Sequence, residues 1–325
     1  MPKISVIIPV YGVEKYIERC VESLFKQTLD DIEFIFVNDC TPDSSMDILN
    51  RTINKYQSII AKKNYVIRIE KMLMNSGLAA VRKHGIQLAT GDYIINCDSD
   101  DWVDIHMYEK MYNHAVYNDS DLVICDYIIS DIDKNVEKII NKNINGLSKE
   151  VIFKKCLLSS TLNTIWTSLA KRNLYEEMFF PVGDMSEDKT IMTQLVWKAK
   201  NISYFPEALY HYFMSNGSIV RTVNKEANIR KFRQLMDNKS VLLSFLKKEN
   251  IKIPQKQIDA FLFRGKIGYI ESYFDDIECR KLWSETYPIS VYNVIFNPYI
   301  NIKLRFKYFL TIVKLRLLML KTNIG

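Results

Sequence analysis

Short apolar runs alternate with amphipathic stretches through the first third of the chain. Four runs rich in β-branched or aromatic residues predict buried strands at 4–8, 32–37, 65–69 and 93–95. Three stretches with helical spacing separate them, at about 13–27, 44–60 and 78–89. Three strand–helix units followed by a fourth strand predict an α/β fold, with a doubly wound and mainly parallel sheet covered by helices on both faces.

The remainder of the chain is more mixed in its patterns. We expect a helix at 107–117, a strand at 121–129 and a polar excursion or hairpin at 130–146. Helices at 149–158 and 187–199 follow, with short strands at 204–205 and 209–212. From 224 onward the pattern is helical, to 248, from 254 to 273 and again near the C-terminus. The sequence therefore predicts an α/β domain over 1–220 and a helical region over 221–325.

Polar residues cluster where two of the predicted strands end. Asn38 and Asp39 follow the second strand, and Asp98, Asp100 and Asp101 follow the fourth. In an open α/β sheet, ligands bind in the crevice beyond the carboxyl ends of the strands. A carboxylate cluster costs free energy unless a cation lies beside it, and Mg²⁺ and Mn²⁺ prefer carboxylate oxygens. We therefore predict a site for a divalent cation and an anionic ligand such as a diphosphate.

Composition narrows the class of protein. With 325 residues, 48% of them hydrophobic and 25% charged, the chain can bury an ample core. Its 44 basic and 38 acidic residues leave a net charge of +6, too small and too scattered over most of the chain to predict nucleic-acid binding. Six well-separated cysteines without a CxxC pair indicate neither a zinc site nor a disulfide framework. The opening apolar run stops at Pro9, too early for a signal peptide, so we expect a cytoplasmic protein.

Five segments carry motifs that follow one another in a fixed order. They are Val6-Ile7-Ile8-Pro9-Val10-Tyr11, Val37-Asn38-Asp39-Cys40-Thr41-Pro42-Asp43, 75–91 with Gly77, Arg82 and Gly85, Asp98-Ser99-Asp100, and Glu187-Asp188. Together they resemble the family 2 inverting glycosyltransferases with the GT-A fold. The resemblance covers about residues 3–220 and implies a Rossmann-like catalytic domain that binds a nucleotide-sugar donor.

The resemblance assigns the nucleotide to residues at the ends of the first two strands. In similar enzymes, the region of Pro9 and Tyr11 and the acid matching Asp39 hold the base and the ribose. Asn38 stands where the family often has an Asp, and Cys40-Thr41-Pro42 replaces a more usual Gly-Ser-Thr, which leaves Asp39 as the better candidate. Because its loop is rich in turn residues, a purely structural role for Asp39 is the alternative.

The resemblance implies that the acids after the fourth strand bind the metal ion. Asp98 is expected beside the ribose or the metal, and Asp100 is expected to bind Mn²⁺ or Mg²⁺ directly. A divalent cation stabilises the negative charge that builds on the leaving diphosphate. The alternative is that both are solvated loop acids. Asn75 and Arg82, from the third segment, are further candidates for nucleotide binding.

The resemblance makes Asp188, or as a second choice Glu187, the general base that takes the proton of the acceptor hydroxyl. A single displacement inverts the anomeric centre, so no covalent sugar–enzyme intermediate is needed. Spacing alone gives both acids another role, since acids favour the first turn of any helix. His211 is either a metal ligand or a packed imidazole, and Trp166 either shapes the acceptor pocket or fills the core.

The C-terminal segment 301–321 combines six cations with aromatic and aliphatic residues. Lys314 and Arg316 interrupt its apolar run, so we do not expect it to span a bilayer. An interfacial helix on anionic lipid fits this composition, and a lipid-linked acceptor would account for such contact on the inner face of the plasma membrane. A helix packed on the catalytic domain, or a homodimer contact, is the alternative.

Two classes of function remain open at this point. The first is a glycosyltransferase that acts on a glycan or lipid-linked acceptor in cell-surface polysaccharide synthesis. The second is a nucleotide-sugar-binding or membrane-scaffold protein without catalysis, for which the changes at Asn38 and Cys40-Thr41-Pro42 leave room. A nicotinamide dehydrogenase is disfavoured because no GxGxxG follows the first strand.

Overall fold

The computed structural model describes residues 1–131, 136–159, 161–214 and 224–322. The chain divides into two units. The first consists of Met1–Pro181 with Glu187–Ser218, and the second of Val182–Ser186 with Ile219–Gly325. All strands belong to the first unit, and the described residues of the second unit form only helices and loops.

Four parallel strands form one half of a nine-stranded sheet, in the order β3-β2-β1-β4. They are β1 (Ile4–Val10), β2 (Ile32–Asn38), β3 (Val66–Lys71) and β4 (Tyr93–Asn96). The helices between them are α1 (Ile17–Phe25), α2 (Ser45–Lys55), α3 (Gln57–Lys62) and α4 (Leu78–Leu88). Every residue of β1 is buried, as expected for a parallel strand whose sheet is covered on both faces. The predicted α/β fold is confirmed.

The other half of the sheet mixes parallel and antiparallel pairs. It contains β5 (Trp102–Val103), β6 (Leu122–Asp131), β7 (Val136–Ile140), β8 (Ser168–Lys171) and β9 (Ile202–Phe213). Beyond β4 the order is β8-β6-β9-β5, and β7 pairs with β6 in an antiparallel hairpin. The helices of this half are α5 (Met107–Tyr117), α6 (Lys149–Leu158) and α7 (Glu187–Lys198).

The two short strands predicted at 204–205 and 209–212 are a single strand, β9. It runs parallel to β6, but the register shifts, because Cys125 lies opposite Phe205 whereas Asp126 lies opposite Ala208. Pro206 falls in this gap, and a proline has no N–H to donate to the ladder. The interruption that the sequence pattern indicates is therefore a bulge within one strand.

A buried carboxylate fixes the start of β4. Glu33 of β2 is fully buried, accepts hydrogen bonds from the Ser5 hydroxyl and the Thr90 N–H, and pairs with Arg68 at 2.7 Å. The N–H of Gly91 donates to the same Ser5 hydroxyl at 2.9 Å. These bonds hold the turn that leads into β4, and β4 in turn leads into the acidic loop.

Replacement of Gly91 by Ala should destabilise the first unit. An added Cβ would lie 2.7 Å from the backbone N of Ser5 and 2.8 Å from the carbonyl carbon of Ile4, atoms of a buried strand that have no room to move. Overpacking of this kind costs about 1–3 kcal/mol. We expect calorimetry to show a lower Tm for Gly91→Ala than for Gln87→Ala, a control at an exposed position of α4. Equal melting temperatures would contradict the close approach.

The second unit is built from helices around an aromatic core. They are α8 (Lys225–Lys248), α9 (Gln255–Lys266), α10 (Ile277–Glu285), α11 (Val291–Ile295) and α12 (Ile302–Thr322). The helix predicted to continue to 273 ends at Lys266, because Gly268 adopts a φ of +114°, far from helical values. Among the described residues, none of the helices has the length and apolar character needed to cross a bilayer.

Candidate active site

Asp39 connects the end of β2 to the start of α4. Its carboxylate accepts hydrogen bonds from the N–H groups of Ser76 at 2.7 Å and Gly77 at 2.9 Å. The Asp39 side chain is buried, and Asn75, which precedes Ser76, is exposed. The second and third sequence motifs therefore meet in space, and the structural role considered for Asp39 is present.

The loops after β1 and β2 are also tied together. The Thr41 hydroxyl accepts a hydrogen bond from the Gly12 N–H at 2.9 Å, and the Thr41 N–H donates to the Asn38 side chain at 2.8 Å. Tyr11 precedes Gly12 and is half exposed. The unusual Cys40-Thr41-Pro42 segment thus supports an ordered loop beside the exposed Tyr11 ring.

The acidic loop after β4 is held through its backbone and through Ser99. The Ser99 hydroxyl donates to the carbonyl of Pro9 at 2.6 Å. The guanidinium of Arg19 donates to the carbonyl of Asp100 at 2.7 Å. These two contacts fix the loop against β1 and α1 while leaving the Asp98 and Asp100 carboxylates for other partners.

Asp101 has a structural role that separates it from the two acids before it. It is fully buried and accepts hydrogen bonds from the Tyr210 hydroxyl at 2.6 Å and the Phe213 N–H at 2.7 Å. The Tyr210 oxygen also accepts a hydrogen bond from the Asp98 N–H at 3.0 Å. Asp101 therefore joins the acidic loop to the end of β9.

Arg82 of α4 gathers three of the predicted acids. Its guanidinium is 1% exposed and contacts Asp98 at 2.5 Å, Asp188 at 2.7 Å and Glu187. Asp98 follows β4, whereas Glu187 and Asp188 open α7. We call these four residues the Arg82 cluster. It unites three sequence motifs, and its most distant members, Arg82 and Asp188, are separated by 106 residues.

The Arg82 cluster carries more negative than positive charge, because three carboxylates share one guanidinium. Burial raises the pKa of Glu187 well above its usual range, and the charge of Asp188 adds to this effect. Burial also raises the pKa of Asp188, although Arg82 opposes the increase. The side chain of Asp188 is 22% exposed and that of Glu187 is 9% exposed. Glu187 is thus the acid that most readily keeps a proton, and Asp188 is the more accessible carboxylate.

The carboxylates of Asp98 and Asp100 suit a divalent cation whose remaining ligands are water and substrate phosphates. Burial raises the pKa of Asp100 to about 6, and the negative charge of Asp98 contributes. Two carboxylates that repel each other are stabilised by a shared cation. Within the described ranges, no three His, Cys, Asp or Glu side chains form a metal-binding group. Mg²⁺ commonly uses only one or two carboxylates, with water and substrate phosphates completing its coordination.

His211 lies in a stack of side chains. Its ring stacks on Trp102 with 4.9 Å between centroids, and the guanidinium carbon of Arg19 lies 3.8 Å from the centre of the Trp102 ring. The Nδ1 atom of His211 lies 3.3 Å from the Ser130 hydroxyl. This environment matches the packed imidazole considered for His211. The Arg19 contacts were not predicted, and the sequence carries no motif that indicates them.

Trp166 fills the core beside a buried lysine. Its ring stacks on Tyr210 at 4.4 Å and on Tyr212 at 5.6 Å, measured between centroids. Lys142 donates to the hydroxyls of Thr164 and Thr167, and burial lowers its pKa to about 8. Of the polar excursion or hairpin predicted at 130–146, the hairpin is present as the β6–β7 pair, but the expectation that this stretch lies outside the core is wrong at Lys142. Neighbouring Lys and Asn residues in that stretch concealed it.

Comparison with known proteins identifies the class of protein. The sequence profile of Glycosyl transferase family 2 matches residues 5–186. This range includes Arg82 and Asp98 of the Arg82 cluster and ends one residue before Glu187. The chain belongs to this family and is a glycosyltransferase.

Relatives with names support the same assignment. The chain is 32% identical over 272 residues to the putative glycosyltransferase EpsH of Bacillus subtilis, covering 80% of this chain and 74% of that protein. It is 29% identical over 225 residues to the poly(ribitol-phosphate) beta-glucosyltransferase of Bacillus spizizenii. That match covers 65% of this chain but 32% of the relative, so the chain spans about a third of its length.

Solved structures show the shared fold. Staphylococcus aureus TarS 1-349 in complex with UDP-GlcNAc superposes with a TM-score of 0.65 at 18% identity, covering 91% of this chain and 82% of that one. The mannosyltransferase PcManGT of Pyrobaculum calidifontis, in complex with GDP-Man and Mn²⁺, gives a TM-score of 0.54 at 12% identity. It covers 96% of this chain and 86% of that one. The predicted GT-A fold is confirmed.

Proposed function

We propose that this glycosyltransferase moves a sugar from a nucleotide-diphosphate donor to a hydroxyl of a glycan or lipid-linked acceptor, with inversion and with a divalent cation. Cell-surface polysaccharide synthesis is the proposed setting, with the catalytic domain at 1–220 and the helical region at 221–325. The observation that carries the proposal is the Arg82 cluster. It places Asp188, an accessible acid at a helix start, together with the acidic loop.

The donor is proposed to lie over the loops that follow β1 and β2. The exposed Tyr11 ring offers a surface for the base, and Pro9, buried two residues earlier in β1, supports the loop that carries this ring. Asp39 accepts hydrogen bonds from the N–H groups of Ser76 and Gly77 just before α4, and the exposed Asn75 lies next to them, so both residues are proposed to line the donor site. TarS, which shares the fold, was solved with UDP-GlcNAc and with UDP, which supports a nucleotide sugar as the donor class.

Asp100 is proposed as the direct ligand of Mn²⁺ or Mg²⁺, with Asp98 beside it. When bound, such an ion neutralises the charge that develops on the leaving diphosphate. The chain supplies the carboxylates and holds their loop in place through Ser99 and Arg19. Arg82 contacts Asp98 and thereby restricts its orientation.

Asp188 is proposed as the general base. It takes the proton of the acceptor hydroxyl as that oxygen attacks the anomeric carbon, the bond to the diphosphate breaks, and the configuration inverts. Arg82 holds the Asp188 carboxylate at 2.7 Å and favours its ionised form. Glu187 is the second candidate for this role, because burial and the charge of Asp188 raise its pKa and favour its protonated form.

The experiment that tests this function is a screen of UDP- and GDP-sugars for donor turnover with and without Mn²⁺. We expect at least one donor to be turned over, a chelator to stop the reaction, and Mn²⁺ to restore it. A protein that binds nucleotide sugars without catalysis would show binding but no turnover with any donor. That result would favour the second class of function.

Replacement of Asp100 by Asn should raise the Mn²⁺ concentration needed for half-maximal turnover. Changes beside a metal ligand already cost about 10–100-fold in metal affinity, so loss of a direct ligand should cost at least as much. Asp92→Asn is the matched control, since Asp92 is exposed at the other end of β4. An unchanged Mn²⁺ requirement in Asp100→Asn would remove Asp100 from the metal site.

A further inference from the structure

The C-terminal helix α12 has two opposite apolar faces. One face packs into the second unit, where the buried Tyr308 ring lies 5.1 Å from Phe263 and 5.8 Å from Trp283, measured between centroids. Thr311 and Leu315 are buried on the same side. The other face is exposed, with exposed fractions from 39% to 76%, at Ile302, Phe306, Phe309, Leu310, Val313 and Leu317. We call these six residues the apolar stripe.

The spacing of the apolar stripe aligns its members. At about 100° per residue, the six positions fall within roughly 100° of arc along the whole helix. Two more aromatic rings are exposed nearby in the sequence: Tyr292 of α11 and Phe296 just after it are 70% and 61% exposed and lie 4.8 Å apart between centroids. A surface this apolar and this regular requires a partner.

Positive charge is concentrated around the apolar stripe. No Asp or Glu follows Glu285, whereas six Lys or Arg do, and this excess equals the net charge of +6 of the entire chain. Lys303, Lys307 and Lys314 fall at about 100–140° from Ile302, along one edge of the stripe. Arg316 falls at about 40° on the other side, along the opposite edge. The apolar stripe is therefore bordered by cations on both edges.

We propose that the apolar stripe binds an anionic membrane surface, with α12 lying in the plane of the interface. The apolar side chains would enter the boundary between headgroups and acyl chains, and the bordering cations would lie at the level of the anionic headgroups. A second copy of the chain fits less well, since a two-fold interface places the same patch against itself and would bring the two sets of cations together. This inference does not depend on the proposed function.

Vesicle flotation of the full chain tests the proposal. We expect the protein to float with vesicles of phosphatidylcholine and phosphatidylglycerol, and to float much less with phosphatidylcholine alone. Salt at 0.5 M should weaken binding, because it shortens the range of the charge interaction. Failure to float with the anionic vesicles would overturn the proposal.

Two sets of substitutions separate the apolar and the charged contributions. The triple substitution Phe306→Ser, Leu310→Ser and Val313→Ser should lower the fraction bound at least tenfold, whereas Leu73→Ser with Met74→Ser, at exposed apolar positions of the first unit, should not. Lys303→Gln, Lys307→Gln and Lys314→Gln should weaken binding only to anionic vesicles. Equal flotation of the serine triple variant and the wild type would contradict the proposal.

Light scattering decides between lipid and a second copy. We expect a monomer mass for the wild type at the concentrations used for flotation. A dimer that the serine triple variant abolishes, together with absence of flotation, would show that the apolar stripe is a protein interface and would overturn the proposal. Unchanged circular dichroism of each variant would confirm that the loss of binding does not reflect unfolding.

Discussion

Replacement of Asp188 by Asn is expected to abolish sugar transfer while leaving nucleotide binding nearly unchanged. The amide keeps the shape of the side chain but cannot accept the acceptor proton, and a general base contributes about 10²–10⁴-fold to a rate. We therefore expect kcat to fall by about that factor. Calorimetric titration with UDP or GDP, whichever base the productive donor carries, should give nearly the wild-type affinity.

Glu187→Gln is the matched control for Asp188→Asn. Since burial and the neighbouring Asp188 raise the pKa of Glu187 well above its usual range, a neutral glutamine should be tolerated better at this position than an amide at Asp188. The loss of kcat should be much smaller than in Asp188→Asn. A larger loss in Glu187→Gln would transfer the role of base to Glu187, and full turnover in both variants would remove the role from this pair.

The pH dependence of the reaction is a second test of Asp188 as the general base. The base must be ionised, so kcat/KM should rise with pH through the pKa of Asp188, which burial raises above its ordinary value. The rising limb should disappear from the residual activity of Asp188→Asn. Persistence of the same limb in that variant would assign it to another group.

Replacement of Arg82 by Met should cause the largest loss of stability among the substitutions considered. The change leaves the buried Glu187 and the half-buried Asp98 and Asp188 close together without the guanidinium that contacts all three. Breaking a buried ion pair by removing one partner costs about 3–5 kcal/mol. Chemical denaturation should show this loss, and turnover should fall as well because Asp188 is no longer held. Arg51→Met, at an exposed position of α2, is the control.

The loss in Arg82→Met should depend on pH in a defined direction. Without the guanidinium, the folded-state pKa values of Glu187 and Asp188 rise further above their unfolded values, so the folded chain binds more protons than the unfolded chain. The free energy of unfolding should then fall as pH rises from the unfolded pKa through the folded pKa, more steeply than in the wild type. The double variant Arg82→Met with Glu187→Gln should recover part of the loss.

Arg82→Lys covers the case in which Arg82→Met does not fold. A lysine keeps the positive charge but has a single ammonium in place of the planar fork that reaches three carboxylates. We expect a folded protein with reduced stability and reduced turnover. Wild-type stability in both Arg82 variants would show that the cluster does not contribute to the fold.

The sequence carried the order of strands and helices because local chemistry determines it. The β-branched runs at β1, β2 and β4 and the helical spacing between them are properties of neighbouring residues. The single bulged strand β9 could not be read from its two apolar pieces, since the shift at Pro206 depends on pairing with β6. The helix expected to reach residue 273 ends earlier because Gly268 has a non-helical φ. The spacing of apolar residues did not indicate this break.

The candidate site was accessible from the sequence only as separate motifs. Asp98 and the Glu187-Asp188 pair stand out as acids at element ends, but their meeting at Arg82 depends on the folded sheet. Arg82 itself lies in an ordinary helical pattern. The sequence pattern alone does not show whether an arginine at such a position is buried or exposed. Lys142 was missed for the same reason, since its burial against Thr164 and Thr167 is set by tertiary contacts.

The most direct test of the account is a titration of UDP and GDP into the wild type and Asp100→Asn, each with Mn²⁺ and with a chelator. We expect one of the two nucleotides to bind the wild type much more tightly with Mn²⁺, and Asp100→Asn to lose most of this gain. Equal affinity with and without Mn²⁺, or an undiminished gain in Asp100→Asn, would contradict a cation site at the acidic loop.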